Sequence, residues 1–217
     1  PKQARLVESF LPGIRITDFA AAPMQAFTHN NFEPENLMME IGFGGGEHLA
    51  ALAEANPNDG FIGCEPFLNG VAKLLNHIQQ NDLLNIRIHD EDARDLIELM
   101  PDSCLAAVYL LYPDPWPKKK HHKRRFVNPE NLHHIHRLLQ PDGMFYFASD
   151  IPDYVSWALV HIRDHGGFEW QERASADWQT PFAGWVRTRY EEKALVAGRT
   201  PTYLRFQHRE HLRPGYL

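Results

Sequence analysis

The chain has 217 residues, of which 43% are hydrophobic and 12% aromatic, and its formal net charge is −6. This composition supports one well-buried core, so we expect a single domain over residues 1–217. No apolar segment is long enough to span a membrane and none resembles a signal peptide, so we expect no membrane partner. The two cysteines, Cys64 and Cys104, are far apart and lack further ligands at metal spacing. We therefore predict buried free thiols, no metal site and a cytoplasmic location.

Short apolar runs alternate with amphipathic segments along the chain. Strands are predicted over residues 36–41, 61–64, 85–89, 105–111, 144–148, 168–173 and 203–208. Helices are predicted over 3–10, 47–54, 67–80, 93–99 and 153–165, and another begins at Pro129 with Asn128 as its cap. We expect a turn over 140–143, and a loop with one short helix between the last two strands. This alternation indicates the α/β class, with a largely parallel sheet covered on both faces.

A glycine-rich loop, residues 42–46, lies between the first predicted strand and the helix over 47–54. Gly42 and Gly44 allow a tight turn and the close approach of a ligand. The spacing is G-x-G-x-G, and Glu47 occupies the last glycine position of the dinucleotide fingerprint. Because Glu47 would repel a pyrophosphate, the loop favours a zwitterionic, cationic ligand. A Gly-rich turn that merely closes an α/β unit is an equally good interpretation of the loop alone.

Three carboxylates accompany the first three predicted strands. Glu40 lies inside the first strand and requires a partner, because a buried lone carboxylate is costly. Glu65 ends the second strand, near the position from which an acid meets ribose hydroxyls. Asp92 follows the third strand, on the side expected for an adenine edge. Acids at helix starts are common caps, but three acids at one sheet edge favour a nucleoside pocket.

The fourth predicted strand leads into the stretch YPDPWPKKKHHKRR, which runs from Tyr112 to Arg125. Asp114 lies between two prolines, and Trp116 is interpreted either as a base-stacking ring or as a core residue. The basic residues of the stretch, which contains no further acid, are Lys118, Lys119, Lys120, Lys123, Arg124 and Arg125. The remaining residues carry 16 basic against 28 acidic groups, a formal charge of −12. This asymmetry predicts a surface that binds a nucleic-acid backbone, in preference to a merely solvated face.

Taken together, these residues resemble the bacterial tRNA (guanine-N7)-methyltransferases. The motifs that carry the resemblance are EIGFGGG from Glu40, the acid Glu65, PDPWPK from Pro113, HHKRR from His121, Ser149-Asp150, and Thr188-Arg189-Tyr190-Glu191. The likeness extends from about residue 37 to residue 208. Its most specific part is the PDPWPKK…HHKRR run, whereas many methyltransferases share the glycine loop.

The resemblance implies a class I methyltransferase fold: a Rossmann-like three-layer sandwich with a seven-stranded, mostly parallel sheet and an antiparallel C-terminal strand. It implies S-adenosylmethionine as cofactor and a guanine in the variable loop of tRNA as methyl acceptor. The matching cofactor-pocket residues are Glu40, Gly42, Gly44, Glu65, Asp92, Ala93 and Asp114, of which Asp114 is also the catalytic residue. The matching substrate-binding residues are Lys118, Asp150, Thr188, Arg189, Tyr190 and Glu191.

Some of these residues have simpler interpretations. Asp150 is a candidate cap for the next helix, ahead of Pro152, and Thr188-x-x-Glu191 has the pattern of a capping box. Guanine N7 has no proton to remove, so we expect Asp114 to orient the base and offset developing charge, and not to act as a general base.

Three other functions stay open at this stage: a non-catalytic RNA-binding protein, a nicotinamide dehydrogenase, and a methyltransferase acting on DNA or another RNA base. The intact strand-end acids argue against the first, and the missing third glycine argues against the second. We expect tRNA and not DNA as the partner. The sequence is compatible with a monomer or a homodimer.

Overall fold

The strands form one seven-stranded sheet in a computed structural model of the chain, which describes residues 2–17, 23–30 and 32–210. The strands are β1 (Leu37–Ile41), β2 (Gly60–Cys64), β3 (Ile86–His89), β4 (Leu105–Leu111), β5 (Leu139–Ser149), β6 (Phe168–Trp170) and β7 (Thr202–His208). Their order in the sheet is β3-β2-β1-β4-β5-β7-β6, and β7 pairs antiparallel with both neighbours. The predicted seven-stranded, mostly parallel sheet with an antiparallel C-terminal strand is confirmed.

Helices cover both faces of this sheet. They are α1 (Lys2–Ser9), α2 (Glu47–Ala55), α3 (Leu68–Gln80), α4 (Ala93–Leu99), α5 (Pro129–Leu138), α6 (Pro152–His165), α7 (Ser175–Trp178) and α8 (Arg189–Val196). One core cluster joins the sheet to α1, α2 and α3, and the other joins it to α4, α5 and α6. Because both faces are covered, every residue of β2 and β3 is buried, as is typical of parallel strands. Among the described residues, no helix is both long and apolar enough to cross a bilayer.

Two details of the sheet differ from the predicted elements. β5 begins at Leu139, so the turn predicted over 140–143 lies inside it as an irregularity. Between the pairs Leu105–Leu139 and Ala107–Met144, β4 advances two residues while β5 advances five. Asp142 accommodates this bulge with a positive φ of 64°. Between β6 and β7 the chain forms two helices, α7 and α8, where only one was predicted.

The cap predicted for α5 is confirmed. The side chain of Asn128 accepts a hydrogen bond from the backbone N–H of Asn131 at 3.0 Å, and Pro129 occupies the first turn. This cap begins α5 directly after the basic stretch, so the stretch is bounded by β4 on one side and a firmly started helix on the other.

A histidine cluster lies where α5 and α6 meet the antiparallel edge of the sheet. The ring of His136 lies 5.2 Å from that of His165 and 4.4 Å from that of His208, and His165 also packs against Phe168. Burial lowers the pKa of His165 to about 4, and the neighbouring imidazoles of His136 and His133 contribute to this shift. The pKa of His208 is lowered as well, chiefly by burial.

This cluster predicts a loss of stability in mild acid. An unfolded histidine titrates near pH 6.5, about the ordinary value, whereas folded His165 stays neutral until about pH 4. The unfolded state therefore binds more protons between these values, and stability falls as the pH falls through this window. We expect the melting temperature to drop between pH 6.5 and pH 4.5, and less steeply in His165→Gln. His77→Gln, on α3 away from the cluster, is the control; identical pH dependence in all three proteins would contradict the prediction.

Candidate functional site

A cavity with a volume of about 500 Å³ lies at the carboxyl ends of β1, β2 and β4. Ligands of α/β proteins bind at this edge of a sheet, and the volume is in the range of small-molecule sites. The residues lining it come from four loops and from α8. They are Ile41, Gly42, Cys64, Glu65, Pro66, Phe67, Asp92, Ala93, Arg94, Leu110, Tyr112, Pro113, Asp114, Trp116, Lys123, Arg124, Phe126 and Tyr190. The cavity thus joins three of the predicted acids to part of the basic stretch.

The glycine loop forms one wall of this cavity. Gly42 lines it with a φ of +70°, and no heavy atom lies within 4 Å of the position that a Cβ would occupy. This open space is on the side from which a ligand can approach the backbone closely. Gly44, at φ +59°, is covered by the ring of Tyr190, which would lie 2.7 Å from an added Cβ. A side chain at Gly44 would therefore displace Tyr190 as well as strain the backbone.

Glu65 connects the glycine loop to the start of α3. One carboxylate oxygen accepts a hydrogen bond from the N–H of Gly44 at 2.8 Å, and the other accepts one from the N–H of Phe67 at 2.9 Å. The residue is only 5% exposed, and burial raises the pKa of its carboxyl group. The two N–H donors and Arg189 lower that pKa, whereas the charge of Asp114 raises it further. Each oxygen keeps a second lone pair, so Glu65 can still accept hydrogen bonds from a ligand in the cavity.

Asp92 both caps a helix and lines the cavity. Its side chain accepts a hydrogen bond from the N–H of Arg94 at 3.0 Å at the start of α4, and it forms an ion pair with the Arg94 side chain at 3.2 Å. Ala93 is buried beside it and also lines the cavity. The capping and pocket interpretations of Asp92 are therefore compatible.

Glu40 is placed differently from the other acids. It is 2% exposed, and its carboxylate lies 2.8 Å from Nδ1 of His48 on α2, a buried residue. The expected partner of this buried carboxylate is thus His48, whose ring packs against Tyr109 and Trp185. Glu40 is not among the residues that line the cavity.

Asp114 lies on a constrained loop after β4. Tyr112 and Trp116 have positive φ values of 51° and 43°, which residues other than glycine seldom adopt. Such conformations concentrate at functional sites. Asp114 itself is exposed, lines the cavity and, among the described residues, accepts no hydrogen bond. Its carboxylate is therefore free to meet a ligand or substrate.

The basic stretch continues from this loop as a 3₁₀ helix, Lys119–Arg124. Lys119, Lys120, Lys123 and Arg124 are exposed on it, and Lys118 is exposed just before it. Lys123 and Arg124 also line the cavity. The guanidinium of Arg124 stacks over the ring of Trp116, 4.8 Å from its centroid. Trp116 is half-buried at the cavity and is not a core residue.

Arg125 was predicted to contact a nucleic-acid backbone, and this prediction is wrong. The residue is 1% exposed, and its Nε donates a hydrogen bond to the carbonyl of Pro115 at 2.8 Å. Its Nη2 donates to the carboxylate of Asp153. A guanidinium enclosed in this way cannot reach a phosphate. The sequence shows the charge but not that this arginine, unlike its neighbours, turns inward.

Of the remaining predicted substrate residues, Tyr190 lines the cavity. The others, Lys118, Asp150, Thr188, Arg189 and Glu191, do not line it. Asp150 forms an ion pair with Arg199 and does not cap α6, whose cap position is Ile151. Thr188 caps α8 by accepting from the N–H of Glu191 at 3.2 Å, so this half of the capping box is present. Burial raises the pKa of Tyr112, a wall residue, and the charges of Glu191 and Asp150 raise it further. Both carboxylates are therefore near enough to Tyr112 to act on its hydroxyl group electrostatically.

The carboxylate of Glu191 accepts two side-chain hydrogen bonds. Nε1 of Trp185 donates to one oxygen and the hydroxyl of Tyr203 to the other, both at 2.6 Å. Glu191 is only 3% exposed, so it connects α8 to β7 inside the protein. The adjacent Arg189 lies over the ring of Tyr190 and donates to its hydroxyl at 3.0 Å.

Sequence reasoning missed Tyr112, Phe67 and Arg94 as cavity residues. Each lies within two residues of a predicted acid, so proximity to a strand end was the available signal. Within the described part of the chain, no group of three or more His, Cys, Asp or Glu side chains is arranged to hold a metal ion. Cys64 and Cys104 are free thiols; Cys64 is buried as predicted, whereas Cys104 is only partly buried.

Several solved structures with a similar fold are methyltransferases. The chain aligns with the 16S rRNA methyltransferase KamB at a TM-score of 0.63 and 16% identity, covering 90% of this chain and 97% of that chain. It aligns with an antibiotic-related methyltransferase at a TM-score of 0.60 and 16% identity, covering 91% and 98%. At such identities the likeness concerns the fold alone, which is that of the class I methyltransferases.

Comparison of sequences then gives the family. The family described as "Putative methyltransferase" matches residues 34–204. The tRNA (guanine-N(7)-)-methyltransferase of Rhizobium johnstonii is 51% identical over 207 residues, which cover 95% of this chain and 88% of that protein. The enzyme of the same name from Mesorhizobium japonicum is 50% identical over 206 residues, with coverages of 95% and 88%. The chain belongs to the tRNA (guanine-N(7)-)-methyltransferase family.

Proposed function

We propose that this protein transfers a methyl group from S-adenosylmethionine to N7 of a guanine in the variable loop of tRNA. The observation that carries the proposal is the continuity of one surface. Glu65, Asp92 and Asp114 line a cavity whose rim is formed by Lys123 and Arg124. A nucleoside site therefore adjoins a cationic surface suited to a phosphate backbone.

The cavity suits the proposed cofactor. Glu65 offers free lone pairs for ribose hydroxyls, and Asp92 with Ala93 lies where a base edge would be held. Gly42 leaves open space in which a side chain would obstruct a ligand. Gly44 supports this site by donating its N–H to Glu65, and Glu40 stays a proposed pocket residue that contacts His48. When bound, S-adenosylmethionine supplies an electrophilic methyl group on a positively charged sulfur.

Asp114 is the proposed catalytic residue. Guanine N7 attacks with its lone pair, so no proton has to be removed and the main tasks are orientation and charge stabilisation. The purine ring becomes cationic as its bond to the methyl group forms. The exposed carboxylate of Asp114, which accepts no hydrogen bond from the part of the chain that the structure describes, is available to stabilise that charge and to orient the base.

Lys118, Asp150, Thr188 and Glu191, with Arg189 and Tyr190, are the proposed contacts to the guanine and its nucleotide. Tyr190 supports this proposal because it lines the cavity beside Asp114 and Glu65. Both oxygens of Glu191 already accept hydrogen bonds, so its role includes fixing the loop that carries Trp185. Asp150 forms an ion pair with Arg199, which holds its carboxylate in place.

The exposed basic residues predict a steep salt dependence of tRNA binding. Each phosphate contact contributes about one unit to the slope of log K against log salt. We expect the double variant Lys123→Ala, Arg124→Ala to lower that slope by about two units, since both side chains are exposed. Filter binding or fluorescence anisotropy across a salt series measures it. The charge-matched control is Lys73→Ala, Arg163→Ala on α3 and α6; an equal effect in both variants would exclude a specific basic surface.

The proposed function is tested with purified protein, an unmodified tRNA transcript and methyl-labelled S-adenosylmethionine. Digestion to nucleosides should place the label in 7-methylguanosine, and mapping should place that nucleoside in the variable loop. Label on an exocyclic amino group would assign a different methyltransferase activity to the same fold. Tight binding of S-adenosylhomocysteine without methyl transfer to tRNA would indicate that the protein is a methyltransferase with another substrate.

A further inference from the structure

We propose that Arg125, which belongs to the basic stretch but not to its surface, is a positioning residue that holds the loop carrying Asp114. This inference rests on the proposed function for its effect on activity. Its structural basis is independent of that function and consists of the contacts made by one buried guanidinium.

The loop at residues 113–117 has few means of holding its own backbone. Its sequence is PDPWP, and the three prolines have no N–H, so only Asp114 and Trp116 can donate backbone hydrogen bonds. Among the described residues, the bond from Nε of Arg125 to the carbonyl of Pro115 is the only hydrogen bond made to this backbone. The bonded carbonyl belongs to the peptide between Pro115 and Trp116, so this single bond fixes the backbone one residue beyond the proposed catalytic Asp114.

Arg125 is itself held firmly by α6. The carboxylate of Asp153 accepts from its Nη2, and the guanidinium lies 5.0 Å from the ring centroids of both Tyr154 and Trp157. Nε1 of Trp157 also donates to the carbonyl of Val127 at 2.7 Å. Side chains of α6 therefore hold both the guanidinium of Arg125 and the backbone at Val127. Because the guanidinium is planar and rigid, its Nε can at the same time hold the carbonyl of Pro115 in a fixed position.

The same arrangement separates two neighbouring arginines by role. Arg124 is exposed and stacks on Trp116, where it remains available to a polyanion, whereas Arg125 faces inward. Loss of Arg125 should therefore disturb the position of Asp114 while leaving the charge of the exposed surface intact. Misplacement of a reacting group by about 1 Å costs roughly 10²-fold in rate.

Arg125→Lys tests this inference, because lysine keeps the charge beside Asp153 but lacks the fork that reaches Pro115. We expect kcat for tRNA methylation to fall about 30- to 100-fold, while KM for tRNA changes less than about threefold. The matched control is Arg137→Lys. Arg137 also donates to backbone carbonyls, those of Met100 and Ile97 at 2.6 Å, but it holds the end of α4 and does not line the cavity. All rates are measured at a temperature where circular dichroism shows each variant folded.

The outcomes distinguish a positioning role of Arg125 from a merely structural role and from a phosphate-binding role. If both variants lose activity in proportion to their melting temperatures, Arg125 is merely structural and the inference fails. If KM for tRNA rises with kcat unchanged, Arg125 serves the phosphate surface and the inference also fails. Loss of kcat in Arg125→Lys alone supports it.

A second measurement does not depend on the activity. Without its anchor the loop should open, so trypsin should cleave after Lys118, Lys119 and Lys120 faster in Arg125→Lys than in Arg137→Lys. An inactive wild-type protein would overturn the proposed function, and this comparison would still decide whether Arg125 holds the loop. Equal cleavage rates would show that it does not.

Discussion

Asp114→Asn is expected to lower kcat for tRNA methylation by about 10²- to 10³-fold, the usual effect of removing one preorganised electrostatic group. Asparagine keeps the shape and the hydrogen-bonding reach of the side chain but removes the charge that offsets the cationic purine. Stability should barely change, since Asp114 is exposed and accepts no hydrogen bond among the described residues. Single-turnover rates with saturating tRNA, together with thermal melting, measure both effects.

The control for this variant is Asp95→Asn. Asp95 is likewise exposed and lies in the first turn of α4, outside the cavity lining. It should retain nearly full activity. A near-normal rate in Asp114→Asn would contradict the charge-stabilising role and leave Asp114 as a residue that only shapes the cofactor site.

Glu65→Gln is expected to weaken binding of S-adenosylhomocysteine by about 100-fold. The glutamine amide places an NH₂ group where a carboxylate oxygen now accepts an N–H from Gly44 or Phe67, so one donor faces another. The change also removes a charged acceptor from the cavity, and hydrogen bonds to charged groups contribute about 1.5–3 kcal/mol each. Isothermal titration calorimetry measures the affinity directly.

A buried carboxylate elsewhere provides the matched control. Glu172 is 6% exposed and accepts hydrogen bonds from the backbone N–H and the Nε of Arg205, at 3.0 Å and 2.8 Å. Glu172→Gln should lower stability in the same way but leave ligand affinity unchanged. Equal weakening in both variants would mean that Glu65 acts through stability and not as a ligand contact.

The sheet was largely predictable because buried strands are short, apolar and separated by clear turn residues. The bulge in β5 was not, since Leu139 and Met144 pair with β4 on either side of a segment whose Pro, Asp and Gly are typical of a turn. Such a segment can end a strand or interrupt it, and only pairing with the neighbouring strand decides between the two.

Within the site, the residue types predicted the chemistry of the side chains better than they predicted which way each side chain points. Asp114, Glu65 and Asp92 share a cavity because each lies at the carboxyl end of a parallel strand or just beyond it, where the pattern predicts a common edge. Glu40 precedes its strand end by one residue, and the alternation of side chains turns it away towards His48. The sequence did not identify His48 as the partner of Glu40, because the packing of α2 against the sheet is what brings the two side chains together.

Arg125 illustrates the opposite difficulty. Six basic residues in eight positions predict an exposed cationic surface, and five of them are exposed as expected. The last turns inward because α6 offers Asp153, Tyr154 and Trp157 on one face, far away in sequence. Such long-range complementarity has no local signal.

The central claim is that this cavity delivers a methyl group to guanine N7, and replacing that atom tests it most directly. A tRNA transcript assembled with 7-deazaguanine at the target position of the variable loop keeps the shape and the Watson–Crick edge of guanine but has carbon in place of N7. With labelled S-adenosylmethionine, we predict full transfer to the guanine-containing tRNA and none to the deaza-substituted tRNA, at equal binding affinity. Equal labelling of both tRNAs would contradict the account.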